Sequence, residues 1–144
     1  MGLSSGSEKN TGCEYFIFPA YLQKFRYSKS MTADKIRADI LETGNPKIKS
    51  ARILIQASPS TVFSIISNPK RHKDIDGSAT ITANISGPET LVLGSKFGMK
   101  MRLGITYWIS NTVVEYKKNE VIAWRHFGQW RWRYELVDLS LIHI

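Results

Sequence analysis

Three histidines and one cysteine are the side chains of this sequence best suited to metal binding or nucleophilic chemistry. His72, His126 and His143 are scattered, and none has a second ligand at a metal-binding spacing. Cys13 is the single cysteine, so no intramolecular disulfide is possible and no thiolate metal site is expected. The sequence therefore predicts no metal and no cofactor, and it assigns no catalytic residue.

Acid–base chemistry has a few candidates among the remaining titratable groups. His126 follows Trp124 by two residues and shares its strand face, so it is either a polar group in a cavity or a strand-end residue. His72, within "KRHKD", is interpreted as a solvated helix residue. Glu115 and Glu135 lie in predicted strands, where surface ion pairing is favoured over catalysis.

The segment "WRWRYEL" alternates aromatic and charged residues with the two-residue period of a strand. This period places Trp130, Trp132 and Tyr134 on one face, and Arg131 and Arg133 on the other. Single-stranded nucleic acid is bound where exposed aromatics lie beside cations. Because alternation separates the two groups, nucleic-acid binding is not predicted, and the arginines are expected to pair with surface carboxylates.

The aromatic face contains Trp, Tyr and Met where a core built only for stability favours aliphatic residues. Such a lining is typical of a cavity that receives an apolar guest, although core packing remains the alternative for each single residue. Trp108 is grouped with this face. The candidate ligand-binding residues are Phe97, Met99, Met101, Tyr107, Trp124, His126, Trp130, Trp132 and Tyr134.

Composition indicates one folded domain with a basic surface. The chain has 144 residues, 42% hydrophobic, and 20 Lys and Arg against 12 Asp and Glu, which gives a net charge of +8. That balance favours anionic partners such as a membrane surface, but the charge is spread along the chain and not clustered. No transmembrane span or signal peptide is recognised, so a cytoplasmic location is expected.

Residues 1–47 are predicted to form an N-terminal extension. Residues 1–30 show no sustained period, and a short helix is expected near 32–43. Thr32 is its candidate N-cap, Ile36 and Ile40 lie one turn apart, and Gly44 follows as a stop.

Residues 48–138 are predicted to form an α+β domain. A strand near 48–57 leads into Ser58-Pro59, a helix N-cap followed by proline at the first helical position. A second short helix follows Asn68-Pro69, and at least five strands come next. One tight turn is expected at Lys118-Asn119. Such short connections favour an antiparallel sheet.

Four segments in this order resemble the polyketide cyclase/dehydrase branch of the START-like superfamily: "ILIQASPSTVFSIISNPKRHKDIDGS", "LVLGSKFGMKM", "NTVVEYKKNEVIAWRHFG" and "WRWRYEL". The resemblance covers residues 48–137. It implies a helix-grip fold, a curved antiparallel sheet around a long C-terminal helix, with a cavity for lipids, sterols, quinones or polyketides.

The chain departs from that family pattern after the last predicted strand. The family implies one more strand and the long helix, whereas residues 139–144 read "LSLIHI" and are interpreted as a foreign tail. The expectation is therefore an incomplete START-like domain, a fragment of a functional protein, that can self-associate through its exposed inner sheet face.

The sequence leads to three hypotheses about function. The first is binding of a small hydrophobic ligand in a cavity between sheet and helix. The second is a polyketide cyclase or dehydratase, for which His126 is the nearest acid–base candidate. The third is an interaction module that associates with an anionic membrane surface or a ribosome.

Overall fold

The computed structural model describes residues 13–17, 38–127 and 130–139. They form an α+β fold in which an eight-stranded antiparallel sheet curls into a half-barrel and carries two short helices. The helices are α1 (Pro59–Ile66) and α2 (His72–Ile75), with a single turn of 3-10 helix between them. The strands are β1 (Cys13–Ile17), β2 (Asp39–Leu41), β3 (Ser50–Ile55), β4 (Ile81–Ser86), β5 (Lys96–Leu103), β6 (Ile105–Lys117), β7 (Val121–His126) and β8 (Arg131–Asp138).

The strand order is β2-β3-β1-β8-β7-β6-β5-β4, and every neighbouring pair is antiparallel. Strands β4 to β8 form a meander in chain order, as the short connections predict. The turn between β6 and β7 lies at the predicted position, and Asn119 there has a positive φ of 63°. The predicted α+β antiparallel class is confirmed.

Strand β1 lies inside the sheet. It pairs with β3 along one edge and with β8 along the other. Two strands from the predicted N-terminal extension, β1 and β2, thus contribute to the same sheet as the later strands. The predicted foreign tail at 139–144 lies outside the described residues except for Leu139.

The helix predicted near 32–43 is wrong over residues 39–41, which form β2; residues 32–37 lie outside the described residues. Strand β2 pairs with β3, and Ile40 stands opposite Ala51. Ile40, which the helical spacing puts one turn after Ile36, is exposed in β2. A short helix without a buried face is marginal, so pairing with β3 prevails over the helical spacing.

The two helices begin where the sequence predicts. The Ser58 hydroxyl accepts a hydrogen bond from the Thr61 backbone N–H at 3.2 Å, and Pro59 occupies the first turn of α1. The Asn68 side chain caps the following 3-10 turn by accepting from the Lys70 N–H at 3.0 Å. Within the described ranges, no helix is long and apolar enough to span a bilayer.

The core lies between α1 and one face of the sheet. Leu91 anchors the β4–β5 loop against α1, because its N–H donates to the Ser67 carbonyl at 2.7 Å. Gly87 permits a close approach of the same loop, since a Cβ there would lie 2.7 Å from the Phe97 Cβ. The buried hydrophobic residues are Val62, Phe63, Ile66, Leu91, Phe97, Met99, Val113, Ile122, Trp124 and Leu136.

Candidate ligand-binding site

Cross-strand pairing divides the side chains of β5–β8 between two faces. We call the face that contacts α1 and α2 the inner face, and the opposite one the outer face. Residues that stand directly opposite each other on neighbouring strands share a face. Examples are the pair Met101 and Tyr107 and the pair Trp124 and Trp132. The nine predicted ligand-binding residues all belong to the inner face, and their role in binding stays a prediction. Trp108 was grouped with them wrongly: it pairs with Lys100 on the outer face.

One end of the inner face is covered by the helices. Phe97, Met99 and Trp124 are fully buried there and pack in the core. The His72 ring lies flat on Trp124, with ring centroids 4.8 Å apart, and meets Phe97 edge-on at 5.3 Å. We call this region the covered end. Three of the predicted ligand-binding residues therefore form its floor.

His72 is buried, with 2% exposure, so its interpretation as a solvated helix residue is wrong. It follows the turn at Pro69–Arg71 directly, and the ring lies against the sheet. Its Nε2 lies 2.7 Å from the Ile66 carbonyl oxygen. Because a carbonyl only accepts, Nε2 carries the proton and donates. Burial lowers the pKa of His72 despite that hydrogen bond, so the ring is neutral at pH 7.

The other end of the inner face is open because β5 and β6 extend beyond β7. Strand β7 ends at His126, opposite Asn111, and β6 continues from there to Ile105. Exposure rises along this extension, from half-buried Met101 to Leu103 at 57% and Ile105 at 75%. We call this region the open end. Its apolar side chains are Met101, Leu103, Ile105, Tyr107, Ile109 and Trp130.

Asn111 lies where the covered end meets the open end. It pairs with Phe97 on one side and His126 on the other, and its side chain is 1% exposed. Neither its Oδ1 nor its Nδ2 has a hydrogen-bond partner among the described residues. Leaving a buried amide unpaired costs about 1–3 kcal/mol. An unpaired donor and an unpaired acceptor are thus available together beside an apolar surface.

Asn111 was missed from the sequence, although its signal was present. It lies between Ile109 and Val113 at the two-residue spacing that puts all three on the inner face. A polar residue in an apolar strand phase is the pattern that identifies it. The burial of His72, which was interpreted as solvated, has no comparable signal in the sequence, because it depends on the packing of α2.

His126 lies at the edge of this site and is half-buried. Its ring contacts Trp130 edge-on at 5.3 Å and Phe127 at 5.8 Å. It is thereby placed among aromatic side chains and opposite Asn111. Among the described residues, no group of three or more His, Cys, Asp or Glu could hold a metal ion.

The outer face differs from the inner face in carrying charged side chains that pair with one another at its centre. Glu115 accepts hydrogen bonds from Arg131 and, at 3.0 Å, from Arg133. Arg133 also donates to Glu135 at 2.6 Å. The predicted pairing of the strand arginines with these acids is confirmed. The hydrogen bond from Arg133 holds the pKa of Glu115 below its usual range, and the same contact raises the pKa of Arg133.

The chain is similar to two proteins of Mycobacterium tuberculosis, from two strains, both described as uncharacterized. One is 37% identical over 108 residues, which make up 74% of this chain and 48% of the relative. The other is 36% identical over 108 residues, with the same coverage. The chain thus spans about half the length of the curated relatives it matches. No family model and no solved structure matches the chain.

Proposed function

We propose that the open end of the inner face binds a small hydrophobic molecule that carries one neutral polar group. The observation that carries this proposal is the buried, unpartnered amide of Asn111 beside a half-exposed apolar surface. A ligand that satisfies both amide atoms removes the cost of leaving them unpaired. Binding is therefore favoured by the free energy that the unpaired amide costs the empty protein.

The chemistry of Asn111 defines the polar group of the ligand. The amide offers one acceptor oxygen and an NH₂ donor, so its best partner both donates and accepts. A hydroxyl, an enol or a protonated carboxylic acid meets this requirement. Each 100 Å² of apolar ligand surface buried against the open end adds about 2.5 kcal/mol. Affinity thus comes from the apolar body, and orientation comes from the polar group.

We extend the proposal to membership of the START-like superfamily. The antiparallel sheet and the two short helices after β3 support it, since both occur in the order that the resemblance implies. Lipids, quinones and polyketides, the ligands of that superfamily, are apolar molecules that carry hydroxyl, enol or carbonyl groups. The exposed apolar residues of the open end also support self-association when no ligand is present.

Displacement of Nile red from the full chain tests the proposal. Decanol and its methyl ether are used as competitors, because the ether keeps the chain and an acceptor but has no donor. We expect Asn111→Leu to weaken decanol binding by about tenfold, the equivalent of one good hydrogen bond. The ether should be weakened less, because it can accept from the amide N–H but cannot donate to Oδ1. Thr112→Val, on the outer face of the same strand, is the matched control.

Two results would contradict the proposal at different points. Equal affinity of the wild type and Asn111→Leu for decanol, with Nile red still bound, removes the role of Asn111. If neither Nile red nor decanol binds the wild type, the inner face is not a site for small hydrophobic molecules.

A cyclase or dehydratase activity at the same site is the second candidate. It is favoured by the position of His126, which lies opposite Asn111 at the edge of the open end. A histidine there can transfer a proton to or from a substrate whose oxygen is held by the amide. Turnover of a polyketide-like substrate by the wild type, lost in His126→Ala, is the expected result. Equal turnover in both proteins would exclude this role.

A further inference from the structure

The outer face carries a row of cations that crosses four neighbouring strands. Lys96 on β5 stands opposite Thr112 on β6, which stands opposite Arg125 on β7, which stands opposite Arg131 on β8. Neighbouring strands lie about 4.8 Å apart, so the row is about 14 Å long. We call it the cation row. It contains three basic residues and no acid.

Only one end of the cation row is neutralised. Arg131 is paired with Glu115, whereas Lys96 and Arg125 make no ion pair with any carboxylate of the described residues. Lys100 and Arg102 continue the same face of β5 and also lack an acidic partner within that part of the chain. The positive potential of this face is therefore left uncompensated.

A shallow depression of about 250 Å³ lies within the cation row. Its polar lining includes the Lys96 and Arg125 side chains and the hydroxyl-bearing Ser110 and Thr112. Ammonium, guanidinium and hydroxyl groups are the donors that bind phosphate oxygens. The depression is smaller than the usual pocket for a drug-sized ligand, and it is large enough for a phosphate group.

Exposed aromatic side chains border this cationic surface. Phe127, which lines the depression, is 91% exposed, and Trp108 lies on the outer face opposite Lys100. Aromatic residues beside Lys and Arg are characteristic of surfaces that enter the headgroup region of a bilayer. Single-stranded nucleic acid needs a groove that follows its backbone. The outer side of a curled sheet is convex, so the bilayer is the better match.

We propose that the outer face docks on an anionic phospholipid bilayer, with a lipid phosphate in the depression between Lys96 and Arg125. Phe127 and Trp108 enter the boundary between headgroups and acyl chains. The cations and aromatic residues of this surface lie on the outer face, and only His126 both lines the depression and borders the inner-face site. None of the residues changed in the test below belongs to the inner face, so the proposal does not depend on the ligand proposed there.

Flotation of the full chain with vesicles tests this docking. Vesicles of phosphatidylcholine mixed with phosphatidylglycerol are compared with phosphatidylcholine alone. We expect Lys96→Glu combined with Arg125→Glu to reduce partitioning onto the anionic vesicles by at least about tenfold. The matched control is Lys47→Glu with Lys49→Glu, which makes the same change in net charge at exposed positions before β3.

Two further measurements strengthen the test. Phe127→Ser is expected to weaken binding, while Val92→Ser, at another exposed apolar position, leaves it unchanged. Wild-type binding is expected to fall as salt is added, which requires no variant.

Three results would overturn the proposal. The first is an equal loss in both charge-reversal pairs, which would make net charge alone responsible. The second is equal binding to neutral vesicles. The third is binding of a single-stranded oligonucleotide through Lys96 and Arg125 by a protein that does not float with vesicles.

Discussion

The covered end and the open end of the inner face are built from the same strands but are completed differently. At the covered end, α1 and α2 supply the second layer, and Phe97 and Trp124 are fully buried. At the open end, β5 and β6 run past the end of β7, and Ile105 remains 75% exposed. Asn111, with its unpartnered amide, marks the boundary. The contrast indicates that the covered end serves stability, whereas the apolar side chains of the open end remain exposed.

The largest difference between the ends should appear in the two tryptophans. Trp124→Ala removes a buried ring from the covered end and should lower the free energy of unfolding by about 3–5 kcal/mol. Trp130→Ala, at the half-exposed position, should lower it by less than about 1 kcal/mol. Urea denaturation of both variants measures the contrast. Similar losses in the two would show that the open end is also a packed core.

Glycine substitutions compare the backbone at the same two ends. Gly87→Ala forces a Cβ to within 2.7 Å of the Phe97 Cβ at a positive φ, and should cost about 2–4 kcal/mol. Gly104→Ala, at the tip of the β5–β6 hairpin, also has a positive φ but meets nothing within 4 Å. It should cost about 1 kcal/mol. Thermal unfolding distinguishes the two, and an equal effect would contradict the close packing of the β4–β5 loop.

His72 should make the covered end sensitive to acid. Its pKa is lowered in the native state, whereas the unfolded chain takes up a proton near the ordinary value of 6.5. As the pH falls below 6.5, the unfolded state binds more protons, and the free energy of unfolding decreases by up to about 1.4 kcal/mol per pH unit. His72→Phe should flatten this part of the profile. An unchanged slope in His72→Phe would place the titrating group elsewhere.

The ion pairs around Glu115 on the outer face should give the smallest effect, because these charges are paired near solvent. Glu115→Gln is expected to lower the free energy of unfolding by about 1 kcal/mol at neutral pH. The pKa of Glu115 is lowered in the native state, so this contribution is present above about pH 4.5 and is lost as the pH falls through the lowered pKa. Glu135→Gln, which removes only one contact to Arg133, should cost less. A larger loss in Glu135→Gln would contradict the central role of Glu115.

Local patterns predicted the antiparallel sheet, both helix starts and the division of Trp132 from Arg133, because alternation and capping are encoded in neighbouring residues. The predictions from local patterns failed where contacts between distant segments determine the structure. Residues 39–41 form a strand because β3 is available to pair with them, and His72 is buried because α2 packs on Trp124. Of the candidate site, the strand phase of nine residues was predictable. The boundary between covered and open ends was not, since it depends on where β7 stops relative to β6.

The indole N–H resonances of the four tryptophans provide the most direct test of a ligand site at the open end. They report separately on the outer face (Trp108), the covered end (Trp124 and Trp132) and the open end (Trp130). On titration with decanol, we expect the indole of Trp130 and the side-chain amide of Asn111 to shift together, while Trp108 stays unchanged. A shift confined to Trp108, with the Asn111 amide unmoved, would contradict the account and move the apolar site to the outer face.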